Sequence, residues 1–142
     1  MIRLHCARDP EAVEGALDAI EAHLTAAGAE AGEAMQLRLV AEEIVTNIAR
    51  CAWPQGIEAR FQVELLAEPG PEGLLVRLTT IDDGQPFDPT AQDMPDVEAE
   101  LEDRAIGGLG MFLVREMTDA QIYARESGEN RFHVERLFRR AD

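Results

Sequence analysis

Three groups of residues have types and spacings that could do chemistry. In "LRLVAEEIVTNIARCAW", Glu43 and Asn47 stand four apart, so on a helix their side chains lie along one line. An acid and an amide at the edge of a buried stripe can hold a hydrated Mg²⁺ and orient a hydroxyl. A solvent-facing pair at this spacing has the same pattern. In "LLVRLTTIDDG", Asp82 falls on the strand face of Leu74, Val76, Leu78 and Thr80, and Asp83 on the other. An inward carboxylate is costly unless a donor meets it, and the amino group of a purine is such a donor. An Asp that opens a turn before Gly84 is the plainer alternative. In "RAIGGLGMFLVREM", Gly107, Gly108 and Gly110 lie against a run with helical periodicity. Glycine is the poorest ordinary helix former. Bare backbone at a helix entrance lets an anion touch the unpaired amides; a glycine turn serving packing alone is the alternative.

The elements that must position these groups alternate simply. "MIRLHCA" reads as a short strand, after which Asp9 caps a helix with Pro10 in its first turn. That helix turns Val13, Leu17, Ile20 and Leu24 inward and ends near Gly28. A second helix is expected from about Gly32 to Cys51, with Leu37, Val40, Ala41, Ile44 and Ile48 as its buried stripe. Glu42 projects away from that stripe. "ARFQVELLAE" and "GLLVRLTTID" read as antiparallel strands joined by "PGPEG". A proline-bearing acidic stretch then leads to the glycine-led helix, and "AQIYARE" and "RFHVERLF" close the chain as a hairpin around Ser127-Gly128. The expected architecture is α+β: a single domain over 1–142, a two-layer sandwich with helices on one face of a mixed, largely antiparallel sheet.

Composition narrows the function. All 13 positive residues are arginine, which excludes a phosphate loop of the G-x-x-x-x-G-K-[ST] kind and the strand lysine of ordinary protein kinases. The net charge of −15 argues against nucleic acid and anionic membrane as partners. Cys6 and Cys51 form no metal-ligand spacing, no apolar run is long enough for a membrane span, and the start lacks a signal-peptide pattern. A cytoplasmic location is expected.

Taken in order, "EIVTN" (Glu43–Asn47), "DDGQPFDP" (Asp82–Pro89) and "GGLGMFLVREMTDAQIYARESGENRF" (Gly107–Phe132) resemble the nucleotide-site motifs of the Bergerat-fold, histidine-kinase-like ATPases. Length, the N-terminal strand and helix, and the "D-x-x-x-Y-x-R…G-x-N-R" tail resemble the anti-sigma-factor serine/threonine kinases within that superfamily. The resemblance implies ATP and Mg²⁺ as cofactors, with Asn47 binding the metal and Glu43 serving as catalytic base. It also implies that Asp82 takes the adenine amino group and that Gly84 lets the ring approach. Gly108 and Gly110, with the amides of Gly107 and Leu109, would cradle the phosphates beneath a lid at about 88–106, from which Arg104 reaches the terminal phosphates. Asn130 stands near the adenine, where relatives often carry Thr; "NIARCAW" lacks the His found in many relatives. The implied partners are a STAS-type anti-sigma-antagonist as substrate, a sigma factor or other sequestered regulator, and a second copy of the chain. A nucleotide-dependent binding switch with negligible transfer is the alternative function.

Overall fold

The computed structural model describes residues 1–91 and 108–140. Along the chain run β1 (Ile2–Ala7), α1 (Pro10–Ala26), α2 (Ala31–Cys51), β2 (Arg60–Gly70), β3 (Gly73–Asp82), α3 (Gly108–Met117), β4 (Ala120–Glu126) and β5 (Glu129–Arg139). The entry to α1 is as expected: Asp9 caps it by accepting from the Ala12 amide at 2.9 Å, with Pro10 in the first turn. Helix α2 starts one residue earlier than its periodicity predicts. Glu30 and Glu33 form a reciprocal capping box there, which the apolar pattern does not reveal.

The strands form one five-stranded sheet in the order β1-β2-β3-β5-β4. Every neighbouring pair is antiparallel, so the expected mixed sheet is corrected to an antiparallel one among the described residues. The reason is topological. The β4–β5 hairpin folds back so that β5, not β4, lies beside β3, and a strand returning through a tight turn runs opposite to its neighbour. Ser127 and Gly128 both take positive φ, 52° and 79°, the two-residue geometry whose twist matches the flanking strands and fixes their register.

One core joins the helical stripes to the inner sheet face. Leu17, Ile20 and Leu24 of α1, Leu37, Val40, Ala41, Ile44 and Val45 of α2, and Met111 and Val114 of α3 meet Phe61, Val63, Leu65, Leu74, Val76, Leu78, Phe132 and Val134. Ile48, expected in the α2 stripe, is half-buried at its end. Arg8, just past β1, fixes that same end of α2. Its guanidinium donates to Ala49 O at 3.0 Å, Pro54 O at 2.8 Å and Ile57 O at 2.9 Å. Ala49 O is one of the last-turn carbonyls of α2 that an intrahelical bond leaves open, and Pro54 O and Ile57 O belong to the segment that follows. Among the described residues, no helix is long and apolar enough to cross a membrane.

Candidate functional site

Sheet register builds the polar end of a cleft. Asp82 of β3 pairs with Asn130 of β5, which pairs with Arg125 of β4, so the three stand in one row across the sheet. Tyr123 is diagonal to Asn130, within cross-strand reach. Asn130 donates to Asp82 Oδ1 at 2.9 Å and to Gln85 O at 2.8 Å, and its own oxygen accepts from the Tyr123 hydroxyl at 2.5 Å. Both amide hydrogens and the carbonyl of Asn130 are thus engaged inside the protein. What Asn130 offers the cleft is the position of Asp82.

The turn after Asp82 is held just as firmly. The Gly84 amide donates to Asp82 Oδ1 at 2.9 Å, and Arg125 donates to Gly84 O at 2.8 Å. Gln85 reaches back to α2, through its amide to Ala52 O at 2.9 Å and through its side chain to Cys51 O at 2.8 Å. Trp53 Nε1 donates to the outward Asp83 at 2.9 Å. A Cβ on Gly84 would collide with the backbone and side chain of Ala52. Whatever the cleft holds, the close approach at Gly84 is already demanded by α2, and the neighbour is rigid backbone.

With Oδ1 engaged twice, Oδ2 of Asp82 meets no donor among the described residues. Asp82 is buried at 6% exposure. Burial pushes its carboxyl pKa up, against the opposing hydrogen bonds from Asn130 and Gly84. Two residues earlier on the same face, the buried Thr80 hydroxyl has no hydrogen-bond partner. Buried polar groups are ordinarily satisfied. The unpartnered Thr80 hydroxyl, on the same face as the Asp82 carboxylate, therefore leaves a place for a ligand's polar group.

That wall belongs to a narrow cleft whose empty space, open solvent at its mouth included, is about 450 Å³. Ile44, Ile48, Met111, Phe87 and Phe132 supply its apolar surface; Asn47, Thr80, Asp82 and Asn130 supply the polar groups. On the α2 wall the helical register is as expected: Glu43 and Asn47 are both half-buried and Glu42 is exposed. Glu43 does not line the cleft itself. Its carboxylate lies against the first turn of α3, where a Cβ on Gly110 would meet Oε2. Among the described residues, no three His, Cys, Asp or Glu side chains are grouped to hold a metal ion. A Mg²⁺ here would rest on Asn47 and the phosphates of a nucleotide, the sparse protein ligation that Mg²⁺ tolerates.

The structure thus brings Asn47, Asp82, Gly84 and Asn130 together, with Glu43, Gly108 and Gly110 at the junction of α2 and α3. Leu109 lies in α3. Arg104 and Gly107 fall outside the described residues, as does the expected lid from 92 onward. Pro89–Ala91 form a 3-10 turn whose Thr90 carbonyl accepts from Arg115 of α3 at 2.9 Å. Sequence reasoning assigned no role to Thr80, Gln85, Tyr123 or Arg125. The readable signal for the last two was strand alternation counted back from the Ser127-Gly128 turn.

The cleft thus lies between helices and an antiparallel sheet, with a buried carboxylate beside an apolar slot. The family model of the histidine kinase-like ATPase domain matches residues 6–134, and the chain belongs to that family. Domains of this family bind ATP, usually with Mg²⁺. No curated protein matches the chain.

Proposed function

We propose that the chain is an ATP-dependent serine/threonine protein kinase acting as an anti-sigma regulatory factor. In this reading it phosphorylates a STAS-type antagonist protein and sequesters a sigma factor or a similar regulator. The observation that carries the reading is the pairing of a prearranged polar end, the buried Asp82 carboxylate held by Asn130 with the unpartnered Thr80 hydroxyl on the same strand face, with Glu43 one helical turn before Asn47 at the other end. Asp82 accepts the adenine amino group, Asn130 and Gly84 hold that carboxylate in place, and Asn47 orients the metal–phosphate end. When bound, Mg²⁺ neutralises charge on the phosphates. Glu43 accepts the proton of the Ser or Thr hydroxyl as its oxygen bonds to the γ-phosphorus; the bond to the β-phosphate bridging oxygen breaks and ADP leaves with that electron pair.

Two measurements test this. Saturating Mg-ATP at a hundred times its dissociation constant should add about 2.7 kcal/mol to stability, and a melting temperature indifferent to ATP, ADP and Mg²⁺ would remove the nucleotide site altogether. Intact-mass measurement of a STAS-type antagonist after incubation with the protein and Mg-ATP should show one added phosphoryl group. The second reading is a nucleotide-dependent binding switch. It is favoured by one observation, that Glu43 lies against α3 rather than along the cleft. ATP-dependent capture of a partner with no added mass on any antagonist would select it.

We also propose a cytoplasmic homodimer built on the β1 edge or the sheet face adjoining it. Among the described residues, strand β1 pairs with β2 alone and lies at one edge of the sheet. Light scattering that returns a monomer at tens of micromolar, on the order of the range for weak dimers, would overturn it.

A further inference from the structure

The glycines that open α3 suggest a bare backbone for phosphate. Gly110 has a different neighbour. The three atoms a Cβ there would meet first all belong to Glu43: Oε2, then Cδ at 3.1 Å and Cβ at 3.6 Å. Gly110 is buried, in the third position of α3, and its φ is not in the left-handed region. No backbone conformation therefore calls for glycine at this position. At Gly84, by comparison, the obstruction is the backbone of Ala52, which cannot step aside.

We propose that Gly110 is a positioning residue for Glu43: the missing side chain forms the seat in which the Glu43 carboxylate rests. The inference rests on Glu43 being the proton acceptor of the proposed reaction. A carboxylate at the tip of a flexible chain yields easily, so Ala at position 110 is accommodated by swinging Glu43 to another rotamer. The fold survives and the proton acceptor is displaced. A misplacement of about 1 Å at a reacting group costs on the order of 10²-fold in rate. A glycine needed for phosphate contact makes the opposite demand, since added bulk there obstructs the nucleotide itself.

A double-mutant cycle over Gly110→Ala and Glu43→Ala separates the two. With Glu43 in place, Gly110→Ala should lower kcat for transfer to the antagonist by roughly 10–100-fold, with KM for ATP and Kd for ADP unchanged within about threefold. In the Glu43→Ala background the same substitution should lower kcat no further, because the displaced group is already gone. Melting temperatures of the nucleotide-free proteins read the seat without any turnover. Ala is the better helix former, so Gly110→Ala should raise the melting temperature more with Ala at position 43 than with Glu. Should Gly110→Ala alone fail to fold while the double variant folds, that too supports the seat. ADP affinity falling as far as kcat would assign Gly110 to the ligand instead, and equal melting shifts in both backgrounds would show that no seat exists. Wild-type protein that transfers no phosphate refutes the kinase reading, and the melting cycle still decides the seat.

Discussion

At the Asp82 end of the cleft the polar groups are bound to one another, while among the described residues Asp82 Oδ2 meets no donor and the Thr80 hydroxyl has no partner. At the Glu43 end neither Glu43 nor Asn47 has a side-chain hydrogen-bond partner among the described residues, and packing alone orients them. The first arrangement is rigid before any ligand arrives, so little reorganisation opposes binding there. The second keeps its polar groups free for metal, phosphate and hydroxyl, at the cost of depending on its neighbours' shape. One end is built to recognise, the other to act, and each should fail in its own way.

The largest effect belongs to the acting end. Glu43→Ala is expected to reduce phosphoryl transfer by roughly 10²–10⁴-fold, the range for a general base, and to leave ADP affinity unchanged; Glu42→Ala, exposed on another face, should alter neither. Steady-state kinetics beside calorimetry check both, and a dispensable Glu43 would erase the distinction between the two ends. Next comes Asp82→Asn. The Asn oxygen can still accept from Gly84 and Asn130, so the turn survives, but an uncharged acceptor at the purine edge should weaken ATP and ADP by roughly 10–100-fold, the weight of one charge-assisted hydrogen bond. Unchanged ADP affinity by calorimetry would take the purine away from Asp82.

A smaller effect is expected one step behind the site. Tyr123→Phe strands the Asn130 oxygen that now accepts at 2.5 Å, so unfolding in urea should show a loss of about 1–2 kcal/mol with ADP binding weakened less than tenfold. Indifference of both would mean that the hydrogen-bonded row does not act as a unit. The smallest effect is on pH. Burial raises the Asp82 pKa, so its charged form is the costly one in the folded protein. Its contribution to stability is present below the ordinary value of 3.8 and is lost as pH rises through the raised one. Nucleotide-free Asp82→Asn should therefore gain melting temperature over wild type as pH rises from about 4 to about 7. A gap that stays constant across that interval would mean that burial is not what shifts the group.

Periodicity and turn chemistry made most of the fold legible. Asp9-Pro10 marks the start of α1, and the α2 stripe places Glu43 and Asn47 half-buried with Glu42 outside. Strand alternation puts Asp82 inward, and the Ser127-Gly128 turn closes the last hairpin. These are local signals, carried by residues within a turn or two of each other. What stood outside their reach was which strand lies beside which. A hairpin can dock with either arm against β3, and only the docked sheet sets Asn130, and not a residue of β4, opposite Asp82. The same limit explains the glycines. Sequence shows that side chains are missing at 84 and 110; it does not show what fills the space. Tertiary packing alone decides that Ala52 presses on one and Glu43 on the other, since these contacts join elements far apart in the chain whose approach is set by the shared core.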